Sequence, residues 1–187
     1  MREKPKVAVF GSSTLREGDP GFALGVALGA ALARAGATVV TGGYMGAMEA
    51  VSKGAVEAGG EAIGVTVELF ESRSPANRYL TKRIHTSDLH ERLRWLVGHC
   101  HGFVVLPGSI GTLTELYLTW TLISVGGRPH APIVLLGDHW PAALAPLKHQ
   151  DYIPDPLFRH VTFAADAEEA ARMAVGEAAT AKTGGKT

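Results

Sequence analysis

The chain has 187 residues, enough for one domain with a substantial buried core, and its 18 basic residues balance 18 acidic ones. That balance offers no excess positive charge for a nucleic-acid surface, and no apolar run reaches the ~20 residues of a membrane helix. The charged start Met1-Arg2-Glu3-Lys4 does not resemble a signal peptide, and the single Cys100 excludes an internal disulfide, so a cytoplasmic protein is expected.

In chain order, residues 6–10 read as a short apolar strand ending at Gly11-Ser12-Ser13. A loop over 16–20 leads to an Ala- and Leu-rich helix over 21–35, stopped by Gly36. Residues 38–41 form a second strand closing on Gly42-Gly43, 45–58 a helix ending at Gly59-Gly60, and 61–67 a third strand. Strands alternating with helices through short connections imply a parallel sheet with right-handed crossovers. From 68 to 83 the pattern breaks into a polar loop, with a brief extended piece near Ile84. A helix over 88–99, a strand over 102–106, a helix over 112–125 and a strand over 132–136 follow. The remainder reads as a helix over 140–149, a strand over 161–163, a closing helix from Ala167 capped by Asp166, and a frayed tail over 182–187.

The expected architecture is a single-domain, doubly wound, Rossmann-like α/β fold, with helices on both faces of a parallel sheet. Three glycine-bearing loops, at Gly11-Ser12, Gly42-Gly43 and Gly108–Gly111, all follow strand C-termini. Ligands of such sheets bind outside that edge, at the topological switch point. The stretch Pro107-Gly108-Ser109-Ile110-Gly111-Thr112 carries a buried strand into a helix through two glycines. Such a turn aims backbone N–H groups at an anion, so a phosphate cradle is expected there. Neither Gly-x-Gly-x-x-Gly after the first strand nor a Walker lysine is present, which weakens the dinucleotide and P-loop readings.

Thr112-Leu113-Thr114-Glu115 admits two readings. As a capping box, Thr112 and Glu115 satisfy helix N-terminal amides. As a reactive group, Glu115 near a helix N-terminus is held ionised, suited to activating water or balancing positive charge at a sugar carbon. Arg92 lies at the edge of the apolar stripe of Leu89, Leu93, Leu96 and Val97, whereas Arg94 turns further off. It either covers the core rim with its stem or places a guanidinium in a site. Asn77 and Tyr79 stand in the polar loop, where they could cover a ligand or simply be exposed. His99-Cys100-His101 lacks a partner carboxylate pattern and points three ways, so no metal site is expected.

Residues 107–115 resemble the PGGxGTxxE signature of the cytokinin-activating phosphoribohydrolases, the LOG (Lonely Guy) family, long labelled possible lysine decarboxylases. Phe10-Gly-Ser-Ser13, Thr41-Gly-Gly43, Gly46-Ala-Met48, Ser52-Lys-Gly-Ala55, Gly59-Gly60, Asn77-Arg-Tyr79 and His90-Glu-Arg92 extend the likeness over about 120 residues. Ser109 stands where the family has its second glycine, Leu93 where a lysine is usual, and Val65-Thr66-Val67 lacks a usual proline. The resemblance implies hydrolysis of the N-glycosidic bond of a nucleoside 5′-monophosphate, with Arg92 and Glu115 catalytic. Gly11, Ser12, Gly42, Gly43, Gly108, Ser109, Ile110, Gly111 and Thr112 would bind substrate or phosphate, without a cofactor. It also implies a homodimer or homotetramer with the site near a subunit interface. A decarboxylase would need a Schiff-base lysine for pyridoxal phosphate, and none of the seven lysines stands near the central loop. The alternative is a nucleotide or molybdenum-cofactor carrier without turnover.

Overall fold

Val7 and Val9 pack on one side of the first strand, Ala8 and Phe10 on the other, and all four are buried. A strand apolar on both sides needs cover on both, which is the situation of an inner strand in a parallel sheet. The computed structural model describes residues 4–71 and 74–180, the side chains of 177–180 excepted. Among them, β1 (Lys6–Phe10), β2 (Thr38–Thr41), β3 (Glu61–Val67), β4 (Lys82–Thr86), β5 (Gly102–Val105), β6 (Ile133–Leu136) and β7 (Val161–Ala164) form one sheet. Every pairing is parallel and the order is β4-β3-β2-β1-β5-β6-β7.

The chain steps outward from β1 to β4, then returns to β5 on the other side of β1 and steps outward again. The reversal between β1 and β5 is the switch point of a doubly wound sheet. Helices α1 (Pro20–Arg34), α2 (Ala47–Glu57) and α8 (Ala167–Thr180) cover one face. Helices α4 (Leu89–His99), α5 (Ile110–Ser124) and α6 (Trp140–Leu144) cover the other, while α3 (Glu68–Glu71) and α7 (Asp155–Phe158) are single turns. Val39, Val40, Phe103, Val104 and Val105 are fully buried between the two layers. At about 1.5–3 kcal/mol for each large side chain, this double burial is the main force holding the sheet.

The expected cap of the closing helix is present: the Glu169 N–H donates to Asp166 Oδ1 at 2.8 Å, and Ala165 N–H donates back to Glu169 Oε2 at 2.7 Å. Three expectations need correction. The polar stretch 68–83 contains α3, and the extended piece near Ile84 is a full edge strand, paired Val65↔Ile84. Its residues Lys82, Arg83 and His85 are exposed, so it lacks an apolar signal; Arg83 and His85 instead pair with Glu71 of α3. The helix expected over 140–149 ends at Leu144 and passes into a 3₁₀ turn, Ala145–Leu147. Pro146 explains this, because its ring cannot continue an α-helix. Finally, α5 begins at Ile110 rather than Thr112, with consequences for the site. The tail expected over 182–187 lies outside the described residues.

Candidate active site

The C-terminal ends of β2, β1 and β5 are neighbours, so the three glycine-bearing loops meet on one edge of the sheet. A cavity of about 480 Å³ opens there, a volume ordinary for a small-molecule site. Gly11, Ser13, Ser109, Gly111 and Thr112 form one side of it, Arg92 and Glu115 contribute charge, and Tyr44, Met45, Met48 and Phe70 give an apolar wall.

Ser109 is the N-cap of the 15-residue α5, and its side chain makes no capping bond. The first helical bond runs from Leu113 N–H to Ser109 O at 3.1 Å, so the amides of 110–112 precede it and have no intrahelical acceptor. This end of α5 is therefore an anion-attracting rim of the cavity. Because the helix starts at Ile110, Thr112 and Glu115 lie within it, and the capping box read from the sequence does not exist. Neither Gly108 nor Gly111 has positive φ. A side chain at Gly111 would meet open space, whereas one at Gly108 would collide with Thr112.

Helix α4 carries Arg92 one turn from a well-capped start. Glu91 N–H donates to Asp88 Oδ1 at 2.9 Å, and Glu91 Oε2 accepts from Ser87 N–H at 2.8 Å. Arg92 is 6% exposed, one turn before the fully buried Leu96, whereas Arg94 is exposed. Its Nε–H donates to Val65 O at 2.7 Å. Nη1 stands 3.8 Å from Glu115 Oε1. Burial lowers the Arg92 guanidinium from its ordinary value, opposed by Glu115 and Tyr44; it starts so high that it remains a cation at neutral pH.

Glu115 departs from expectation more sharply. Burial raises its carboxyl to about 7, and Arg92 only partly opposes that. The favourable helix terminus was expected to keep it fully ionised, but Glu115 lies more than a turn inside α5, where the terminal field has weakened and desolvation dominates.

The other expected ligand residues divide. Gly11, Ser109, Gly111 and Thr112 line the cavity, while Ser12, Gly42, Gly43, Gly108 and Ile110 do not. Ser12 N–H donates to Pro107 O at 3.1 Å and its hydroxyl sits 2.8 Å from Thr14 Oγ1. Gly42 lies behind Arg92: a Cβ there would occupy the space of Nη2. Ile110 is 78% exposed. Asn77 is buried as a clamp, donating from Nδ2 to Tyr44 O at 3.0 Å and from its N–H to Gly43 O at 2.9 Å. Tyr79 pairs with Arg78, away from the wall. Sequence reading missed Tyr44, Met48 and Phe70; Tyr44 directly follows the second glycine loop and Met48 lies in the first turn of the helix after it, and that position was the available signal. Burial pushes the Cys100 thiol up to about 12, opposite to what a metal-binding thiolate needs, and His101 Nδ1 accepts from Lys6 N–H at 3.0 Å.

A family described as "possible lysine decarboxylase" matches residues 48–174, which hold Arg92, the central loop and Glu115. A cytokinin riboside 5′-monophosphate phosphoribohydrolase of Rhodococcoides fascians is 32% identical over 143 residues, 74% of this chain and 71% of that protein. The chain belongs to the LOG family. A phosphoribohydrolase of the same name from Mycobacterium tuberculosis is 36% identical over 118 residues, 63% of this chain. The match spans 62% of that LOG protein's length, and 60% of the one from Mycobacterium marinum. Among solved structures, the molybdenum cofactor carrier protein of Chlamydomonas reinhardtii superposes with a TM-score of 0.71 at 25% identity, covering 95% of this chain and 99% of that one. Among the described residues no lysine lines the LOG-type cavity, so those that do line it do not fit a Schiff-base cofactor of the kind the decarboxylase description implies.

Proposed function

We propose that the chain hydrolyses the N-glycosidic bond of a nucleoside 5′-monophosphate, releasing free base and ribose 5-phosphate. The observation that carries this reading is the Glu115 carboxyl, raised to about 7 and facing Arg92 at 3.8 Å in a cavity rimmed by the start of α5. The 5′-phosphate binds the amides of 110–112, with the Thr112 hydroxyl beside them. The base lies toward Tyr44, Met48 and Phe70. Ionised Glu115 takes a proton from water as the water oxygen bonds to C1′; the C1′–N bond breaks, the departing nitrogen takes up a proton from solvent, and Glu115 then returns its own proton to solvent. A base of pKa near 7 suits this step at neutral pH better than one near 4. Arg92 offsets part of the cost of burying the anion, which keeps the base form populated. Incubation with a panel of nucleoside 5′-monophosphates, read for released base, tests the reading. Tight ligand retention without turnover would favour the carrier reading, which the superposition on the Chlamydomonas carrier supports.

The assembly we propose is a cytoplasmic homodimer or homotetramer. An apolar groove of about 390 Å³ between α4 and α5, lined by Leu93, Val97, Leu118 and Leu122, supports a second copy as its cover. Light scattering at micromolar concentration should return a multiple of the 19.7 kDa chain mass. Among the described residues no helix is long and apolar enough to cross a membrane.

A further inference from the structure

Building on the phosphoribohydrolase reading, we propose that Tyr44 is a positioning residue whose ring face holds the Arg92 guanidinium toward Glu115. Tyr44 lies in the loop after β2, whose last residue, Thr41, pairs with Gly64 of the neighbouring β3, and its side chain reaches to the end of that strand. The Tyr44 hydroxyl donates to Val67 O at 2.9 Å and accepts from Val67 N–H at 2.8 Å, using the donor and one acceptor site of the phenol. Its carbonyl accepts from Asn77 Nδ2 at 3.0 Å. A residue 5% exposed is thus pinned at both ends, and its ring has little freedom.

The Arg92 Cζ lies 5.9 Å from the Tyr44 ring centroid, within cation–π reach. The bond from Nε–H to Val65 O fixes one point of the guanidinium, about which the head can still turn. A flat ring adds a plane, which is what a planar guanidinium needs to be oriented. Gly42 supports the same placement by leaving room for Nη2. Tyr44 also meets Phe70 edge-on at 5.7 Å, so one ring serves both the apolar wall and the catalytic cation. Arg92 is the charged group that acts on Glu115, so the aim of its head bears directly on that carboxylate.

Two variants separate the ring from the hydroxyl. Tyr44→Phe keeps the ring and loses the Val67 bonds; Tyr44→Met fills the space without a π face. In ligand-free protein, exchange of the Arg92 Nε–H, followed by ¹⁵N NMR, should match the parent in Tyr44→Phe and quicken about tenfold or more in Tyr44→Met. In base release, Tyr44→Met should lose about tenfold in kcat, more than Tyr44→Phe loses, whatever change in KM its place in the apolar wall adds. Tyr44→Met added to Arg92→Ala should lower kcat no further than Arg92→Ala alone, because the two act as a unit. Parental exchange in Tyr44→Met, lost protection in Tyr44→Phe, or multiplying effects in the double variant would overturn the assignment. If Tyr44→Met does not fold, exchange in Tyr44→Phe still decides. The exchange measurement needs no substrate, so it judges Tyr44 even if the hydrolase reading fails.

Discussion

The Arg92 guanidinium and the Glu115 carboxylate face each other at 3.8 Å, too far for a strong hydrogen bond and close enough for charge to matter. At an effective dielectric of ~20 that separation is worth about 4 kcal/mol of attraction. Burial nevertheless raises Glu115 to about 7, so desolvation is the larger effect. The pair supplies a carboxylate near its own midpoint at neutral pH.

The rate should follow that midpoint. With ionised Glu115 as the base, kcat/KM for a nucleoside monophosphate should rise about tenfold per pH unit below 7 and level off above it. A profile that falls as pH rises through 7 would assign Glu115 the opposite role, that of proton donor.

Stability should carry the same signature with the reverse slope. A carboxyl raised from 4.5 to about 7 on folding binds more protons in the native state between those pH values. Stability is therefore fully present below 4.5 and declines as pH rises to 7, by about 3 kcal/mol in all. Glu115→Gln removes the titration. Its stability relative to the parent should rise by about that amount from pH 4 to pH 8, whatever constant offset the loss of Arg92's partner adds. Urea unfolding at a series of pH values checks this; parallel curves would refute it.

Gly42 should matter without touching substrate. A Cβ there would need the space of Arg92 Nη2 and would approach Met48 Sδ at 2.6 Å. Gly42→Ala should remain folded, displace the guanidinium and lower kcat by about tenfold or more, measured by base release and checked by crystal structure.

Gly111 makes the contrasting case. A side chain there meets open space. Gly111→Val should melt within a few degrees of the parent while its KM for nucleotide rises about tenfold or more, because the branched side chain takes the room of the phosphate. Unchanged KM would move the phosphate elsewhere.

The strands facing both helix layers were legible because runs such as Val104-Val105-Leu106 are apolar throughout, and the glycines after them marked the ligand edge. Arg92 was set apart from Arg94 by helical angle together with the family motif that it completes. The edge strand β4 was not, since Lys82, Arg83 and His85 face solvent and carry no apolar period. The start of α5 was misplaced because Ser109-Ile110-Gly111 reads as loop, and that error created a capping box. The ionisation of Glu115 was beyond sequence: it depends on how α4, α5 and the β-strand ends enclose the carboxyl, and local position at a helix start pointed the other way. Tyr44 was missed for a related reason, because its partners Val67, Asn77 and Arg92 are all distant in the chain.

Base release from AMP and related nucleoside 5′-monophosphates by the parent and by Glu115→Gln, beside nucleotide affinity from equilibrium dialysis, tests the central claim most directly. The parent should release base and ribose 5-phosphate; Glu115→Gln should fold, bind nucleotide within about threefold of the parent and turn over ~10²–10⁴ times more slowly. Parental turnover by Glu115→Gln, or tight binding by the parent with no base released, would contradict the account.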